Sequence, residues 1–297
     1  MPSAIALFVY NRLDTTSRVF SRIADARPST LLVIADGPRT DAADDVRLCR
    51  AVRELVSSPT WPCDVRVNYA STNLGLGRRF SSGLEWVFQE VDEAIILEDD
   101  CLPDPTFFRF CDELLARYRD DERVMMISGD NYQFGRDRGP DSYFFSHGIG
   151  TYGWASWRRA FACYDFHMRD WPSVRTSSLL RHIWPSQTIV DYWVERFDET
   201  YAGVVDTWDY QWAFAMWRRR GLQIVPRSNL VTYIGCRDDA VHTGDVAAPY
   251  CDLPTEPMHF PLNHPMVGTR NLAADLYEFH RIFRNYSHDD SVRAERT

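Results

Sequence analysis

Apolar and polar positions change period in regular blocks along the first 130 residues. Residues 4–10, 30–35 and 94–97 are short apolar runs with little polar alternation, and residues 64–70 alternate. These read as strands, and the unbroken runs read as strands covered on both faces. Between them, residues 14–26, 42–57 and 77–91 repeat their apolar positions at helical spacing. Asp104 and Pro105 form an N-cap and first-turn pair that opens a helix over 106–119, and residues 124–128 form another strand. Strand–helix alternation at this spacing predicts an α/β fold built on a mainly parallel, doubly wound sheet.

Beyond residue 130 the alternation weakens. Helices are predicted over 188–201 and 208–220, strands over 222–226 and 230–234, and a helical tail over 271–286. Proline and histidine crowd 249–265, which reads as a loop or lid. Eight of the ten tryptophans lie past residue 150, so this half is aromatic in a way the first is not. With no repeat or low-complexity segment, residues 1–297 are expected to form a single domain. Its nucleotide-binding half is 1–130 and its acceptor and catalytic half 131–297.

The chemistry concentrates where one apolar run stops. Ile95-Ile96-Leu97 is followed at once by Glu98-Asp99-Asp100. In open α/β sheets, ligands bind just outside the carboxyl ends of the strands. Three adjacent acids there repel one another unless a cation sits among them. A hard divalent ion, Mn²⁺ or Mg²⁺, takes carboxylate oxygens and leaves positions open for phosphate. Acids after a strand also serve as solvated loop or helix cap, but Asp104 already supplies the cap.

Composition narrows the field. A net charge of −9 argues against a nucleic-acid partner. Every basic side chain but histidine is arginine, which excludes Schiff-base and Walker-type lysine chemistry. Arg218-Arg219-Arg220 reads as a solvated helix end. The seven cysteines form no Cys-x-x-Cys pair, and their odd number in a long chain suggests reduced thiols in a cytoplasm rather than a disulfide framework. No apolar stretch is long enough to span a membrane, which leaves a soluble chain with room for a peripheral membrane position.

Other candidates sit near strand or helix ends. Gly75-Leu76-Gly77-Arg78-Arg79-Phe80 resembles a dinucleotide-binding turn, but its third position is Phe80 and it follows the third strand. Arg78 or Arg79 there either presents a cation to a diphosphate near a helix N-terminus or stays solvated. Asn11-Arg12 and Asp36-Gly37 follow the first two strands; Asp36 suits a base N–H or ribose hydroxyl, or a simple turn. Asp206-Thr207-Trp208-Asp209 opens a helix, with its acids acting as cap or as general base. His242 is a loop histidine, exposed or a late metal ligand. The aromatic surplus of the second half suits sugar faces, which stack on Trp and Tyr, and many of these tryptophans are expected simply to be core.

Together these residues resemble the nucleotide-sugar-binding glycosyltransferase fold called GT-A, and within it the N-acetylglucosaminyltransferase I group and bacterial haemolysin-like glycosyltransferases. The resemblance runs from residue 4 to about 244. Glu98-Asp99-Asp100-Cys101-Leu102 is similar to the family's Glu-Asp-Asp-Leu metal motif with one residue added, and Phe107-Phe108 fits the following helix. It implies that Asp100, with His242, holds the metal and that Glu98 and Asp99 approach ribose and donor sugar. It further implies nucleotide contacts from Asn11, Arg12, Asp36 and Gly37. Gly150-Thr151-Tyr152-Gly153-Trp154 resembles a glycine-tryptophan loop beside donor and acceptor. Trp208-Asp209 resembles a pair whose aspartate is the catalytic base, which leaves Asp206 to cap.

The implied activity is metal-dependent, inverting transfer from a nucleotide-diphosphate sugar, a UDP-sugar favoured, to a glycan or glycosylated acceptor in a bacterial cytoplasm. Two alternatives are a sugar-nucleotide pyrophosphorylase, disfavoured by the missing lysine, and a catalytically silent carbohydrate-binding or effector module.

Overall fold

A computed structural model describes residues 3–236, 248–266 and 269–283. His242 lies outside the described residues. In chain order the elements are β1 (Ala4–Val9), α1 (Leu13–Ala26), β2 (Thr30–Ala35), α2 (Asp45–Val56), β3 (Asp64–Tyr69), α3 (Leu76–Glu90), β4 (Glu93–Glu98), β5 (Cys101–Pro103), α4 (Pro105–Arg117) and β6 (Val124–Ser128). Then follow β7 (Tyr143–Ser146), β8 (Trp154–Trp157), α5 (Arg158–Phe161), α6 (Trp171–Arg175), α7 (Leu179–Ile183), α8 (Gln187–Tyr201), α9 (Asp209–Arg218), β9 (Leu222–Pro226), β10 (Val231–Tyr233) and α10 (Leu272–Glu278). A π-helical turn, Phe279–Phe283, extends α10, so the helical tail is present as far as the described residues run.

Eight strands form one sheet in the order β3-β2-β1-β4-β8-β6-β9-β7. The expected mainly parallel sheet is present: β3, β2, β1 and β4 pair in parallel, and β6 with β9. β8 inserts antiparallel between β4 and β6, and β7 closes the edge antiparallel to β9. β1, β2, β4 and β6 are buried almost throughout, as their unbroken apolar runs require. Asp104 caps α4 as expected, its carboxylate accepting from the Thr106 N–H at 2.8 Å.

Three strands were not legible in the chain. β8 (Trp-Ala-Ser-Trp) reads as an aromatic loop, yet it is buried on both faces in mid-sheet. β7 is equally short and fully buried. β5 leaves the acidic triplet to pair antiparallel with β10 in a separate two-stranded sheet.

The expectation of reduced thiols needs correction for one pair. Cys236 and Cys251 form a disulfide, while Cys49, Cys63, Cys101, Cys111 and Cys163 are free. Spacing gave no signal, because tertiary pairing creates the contact: Cys251 bridges Tyr233, and the Asp252 N–H donates to the Tyr233 carbonyl. Among the described residues no helix is long and apolar enough to cross a membrane.

Candidate functional site

The chain runs from β1 outward to β2 and β3, then returns to the other side of β1 for β4. Strand order therefore reverses between β1 and β4, and the crevice beyond their carboxyl ends is where such sheets bind ligands. A cleft of about 1510 Å³ opens there. Glu98, Asp99 and Asp100 leave β4 into it, and Tyr10, Asn11 and Arg12 leave β1 into it. Asp36, Asp206 and Asp209 also line it.

Asp99 and Asp100 are buried, Glu98 is half-buried, and the three are close enough to disturb one another. Burial first, then the charges of Asp100, Asp99 and Asp209, hold the Glu98 carboxyl well above its ordinary range. Asp99 is pushed up to about 7 by burial and by Asp100, against the opposing pull of Arg12. Burial raises Asp100 as well, again opposed by Arg12. The Asp99 carboxylate accepts from the Tyr10 N–H at 3.0 Å, and Arg12 Nη1 lies 2.7 Å from Asp100 Oδ2. The chain thus supplies one cation to the triplet itself, beside any metal the acids hold.

Among the described residues, no three His, Cys, Asp or Glu side chains are grouped to hold a metal. Ions that act on phosphates need less than that: one or two carboxylates with the substrate's own oxygens complete the shell. The triplet fits that demand in kind, because its donors are carboxylate oxygens whose mutual repulsion a divalent ion would relieve.

Asp209 begins α9, and its Oδ1 accepts from the Tyr210 N–H at 2.8 Å and from the Thr207 hydroxyl. It lines the same cleft as Glu98, and its charge is among the causes that raise the Glu98 carboxyl. On the β1 side, Asp45 is the hub. It accepts from Asn11 Nδ2 at 2.9 Å, Arg39 Nε at 2.9 Å and the Tyr10 hydroxyl, and Arg39 holds it far below its usual range. Neither Arg39 nor Asp45 stands out in the sequence.

Several expected site residues lie elsewhere or are engaged otherwise. Arg78 is exposed and does not line the cleft, whereas buried Arg79 does line it and donates to Asn68 Oδ1 at 2.9 Å. Asp36 lines the cleft, but its carboxylate accepts from the N–H groups of Gly37 and Leu74 and from Asn73 Nδ2. Gly37 does not line it; a side chain there would meet the Thr72 backbone at 2.3 Å. Gly153 and Trp154 do not line it either. Gly153 holds a φ of +83° against Val231, and Trp154 stacks on Trp208 inside the core. Their neighbours Thr151 and Tyr152 are the ones that face the cleft.

Of the two destinations open to the tryptophans, the core takes most of them. Trp154, Trp157, Trp171, Trp193, Trp212 and Trp217 are among the most deeply buried side chains, and Trp208 is the tryptophan that lines the cleft. Tyrosines supply the aromatic wall instead: Tyr10, Tyr132, Tyr152, Tyr192, Tyr210, Tyr233 and Tyr250. Tyr152 and Tyr233 stack with ring centroids 4.1 Å apart. A tyrosine presents an apolar ring face together with a hydroxyl.

Asp206 does not cap its own helix. Its Oδ2 accepts from the Leu76 N–H and its Oδ1 from the Gly77 N–H, both at 3.1 Å, so it caps α3 from 130 residues away. The anion position at that N-terminus is filled by the chain's own carboxylate, which removes the reason to place a diphosphate there.

No protein-family model matches the chain, and no curated protein matches it. Among solved structures it is similar to a mannosyltransferase of Pyrobaculum calidifontis in complex with GDP-Man and Mn²⁺, at 11% identity and a TM-score of 0.38. That alignment covers 54% of this chain and 46% of the mannosyltransferase, so the chain spans less than half of that protein. HddC of Yersinia pseudotuberculosis, complexed with GMP-PN, aligns at 8% identity and a TM-score of 0.32, covering 53% and 77% of the two chains. The galactosyltransferase LgtC, complexed with donor and acceptor sugar analogs, aligns at 12% identity and a TM-score of 0.37, covering 72% and 69%.

Proposed function

We propose that this chain is a metal-dependent, inverting glycosyltransferase that moves a sugar from a nucleotide-diphosphate donor to an acceptor hydroxyl. The observation that carries the reading is the cleft at the β1/β4 reversal, which the triplet Glu98-Asp99-Asp100, Arg12 and Asp209 line together. The family resemblance of those same residues adds the donor class, and a UDP-sugar is favoured. Residues 1–130 bind the nucleotide, and residues 131–297 of the same domain bind a glycan or glycosylated acceptor. The chain is placed in a cytoplasm, with a peripheral membrane position open to it; the Cys236–Cys251 disulfide is the feature that weighs against a reducing compartment.

Each residue has a part in that reaction. Asp100 would hold Mn²⁺ or Mg²⁺, and His242 is carried with it from the resemblance alone. When bound, the metal neutralises the diphosphate leaving group. Arg12 supplies a second positive charge to the same oxygens. Glu98 and Asp99 approach ribose and donor sugar, Asn11 holds the nucleotide from the β1 side, and Asp36 contacts the base from the β2 end. Asp209 accepts the proton of the attacking hydroxyl. Inversion needs one such base and no covalent intermediate.

The test is turnover of a panel of UDP-, GDP- and dTDP-sugars with Mn²⁺ or EDTA, for wild type and Asp209→Asn. Metal-dependent release of one nucleoside diphosphate, reduced about 10²- to 10⁴-fold in the variant, is the expected result. Equal release by the variant contradicts the base assignment. Sugar binding without release of any nucleotide, with acceptor mixtures present, favours the carbohydrate-binding alternative.

A further inference from the structure

The candidate base stands at the end of a clamp that joins the two halves of the molecule. Asp206 sits three residues before it and is bound to the first two N–H groups of α3. That contact accounts for both glycines of Gly75-Leu76-Gly77. A side chain on Gly75 would lie 2.9 Å from Asp206 Oδ2, and one on Gly77 would lie 2.6 Å from Asp206 Oδ1 and from the Thr207 carbonyl oxygen. The sequence that resembles a phosphate-binding turn is shaped to receive a carboxylate from the same chain.

The next residues extend the clamp. Gln211 Nε2 donates to the Thr207 carbonyl at 2.8 Å, and the Thr207 hydroxyl donates to Asp209. Trp208 stacks on Phe80 of α3 with centroids 4.3 Å apart and planes within 5°. Phe80 stacks in turn on Phe8 of β1 at 3.9 Å, and the other side of the row continues from Trp208 to Trp154 of β8 at 5.6 Å. A carboxylate clamp and a row of stacked rings therefore converge on residues 206–209, from α3 and β1 of the donor half and from β8 of the acceptor half.

We propose that Asp206 is a positioning residue: by capping α3 it fixes the start of α9 and so aims Asp209 at the cleft. The proposal rests on the glycosyltransferase reading for the meaning of Asp209, but the coupling of the two helix ends does not depend on that reading. Asp206 touches neither donor nor acceptor in this account and acts only through the residues that follow it.

The experiment compares full-length wild type, Asp206→Ala, Asp206→Asn, Gly77→Ala and the double variant Gly77→Ala/Asp206→Ala, with Asp209→Asn alongside. Hydrogen exchange without any donor reads the coupling directly. In Asp206→Ala, amides of 76–79 and of 207–212 should speed up together, while β2 and β3 stay protected. On the nucleotide sugar that wild type turns over fastest in the panel above, kcat should fall about tenfold or more with donor KM within about twofold, the split expected when geometry for the chemical step is lost. Asp206→Asn keeps an acceptor oxygen and should recover part of kcat. Gly77→Ala attacks the same contact from the other side, so the double variant should be no worse than the poorer single one, the non-additivity of a shared contact.

Fast exchange confined to 76–79, unchanged kcat in Asp206→Ala, or additive losses in the double variant would overturn the proposal. If Asp209→Asn keeps full turnover, the functional reading fails while the exchange result still decides the clamp. If Asp209→Asn is inactive and Asp206→Ala is not, the clamp alone fails.

Discussion

At the scale of single residues, the contact that changes the picture most is Arg12 with Asp100. A bare acidic triplet asks for a metal; a triplet with an arginine 2.7 Å away already has one cation and will bind a second on altered terms. Arg12 holds both Asp99 and Asp100 below the values burial would otherwise impose. A carboxylate must be ionised to take a divalent ion, so metal-assisted nucleotide binding should appear as pH rises through these groups. Replacing Arg12 with methionine removes the lowering charge, and the midpoint of that appearance should move upward by about one pH unit. Titration of UDP binding with Mn²⁺ from pH 5 to 9 checks it; an unmoved or lowered midpoint contradicts the role given to Arg12. Glu98, Asp99, Asp100, Arg12, Asn11 and Asp209 could be picked out from the chain because each sits beside a strand or helix end. Arg39 and Asp45 could not, since their meaning comes only from what they meet; the aromatic surplus was legible, but not which of its rings would line the cleft.

At the scale of elements, legibility follows how a segment is stabilised. The parallel strands announce themselves because burial on both faces demands an unbroken apolar run, and α4 announces itself because Asp104 and Pro105 stand where a helix start needs them. β7 and β8 do not, because four residues carry too short a pattern and their place depends on neighbours far away in sequence. Asp206 shows the same limit: proximity suggests a cap for α9, yet the better partner is the start of α3. The Asp104 cap reaches beyond its helix, because Thr106 donates its hydroxyl to Asp104 and accepts from the Met258 N–H at 2.9 Å. Asp104→Ala should therefore cost about 1 kcal/mol, the usual loss for an N-cap. It should also raise amide exchange around Met258. Denaturant melts with exchange by mass spectrometry test both, and an effect confined to α4 contradicts the coupling to the 249–265 loop.

At the scale of the whole molecule, Glu278 is one of several buried acids, with Asp130 and Asp275, that contribute to the pH response of stability. Glu278 is pushed up to about 8 by burial and then by Asp275 and Asp130. A carboxyl raised in the folded state keeps its proton where the unfolded chain has lost it. Between the ordinary glutamate value and about pH 8, stability should therefore fall as pH rises, by up to about 1.4 kcal/mol per pH unit. Glu278→Gln, which cannot ionise, should reduce that dependence over pH 5–8 in thermal melts, and an unchanged slope excludes a contribution from Glu278. The central claim, however, concerns the cleft at the β1/β4 reversal. Calorimetric titration of UDP, GDP and dTDP into wild type and Asp100→Ala, each with Mn²⁺ and with EDTA, addresses it most directly. The account predicts that one nucleotide binds with Mn²⁺ and weakens at least about tenfold, roughly 1.4 kcal/mol, both with EDTA and in the variant. Equal affinity in EDTA and Mn²⁺, or an unaffected Asp100→Ala, would contradict it.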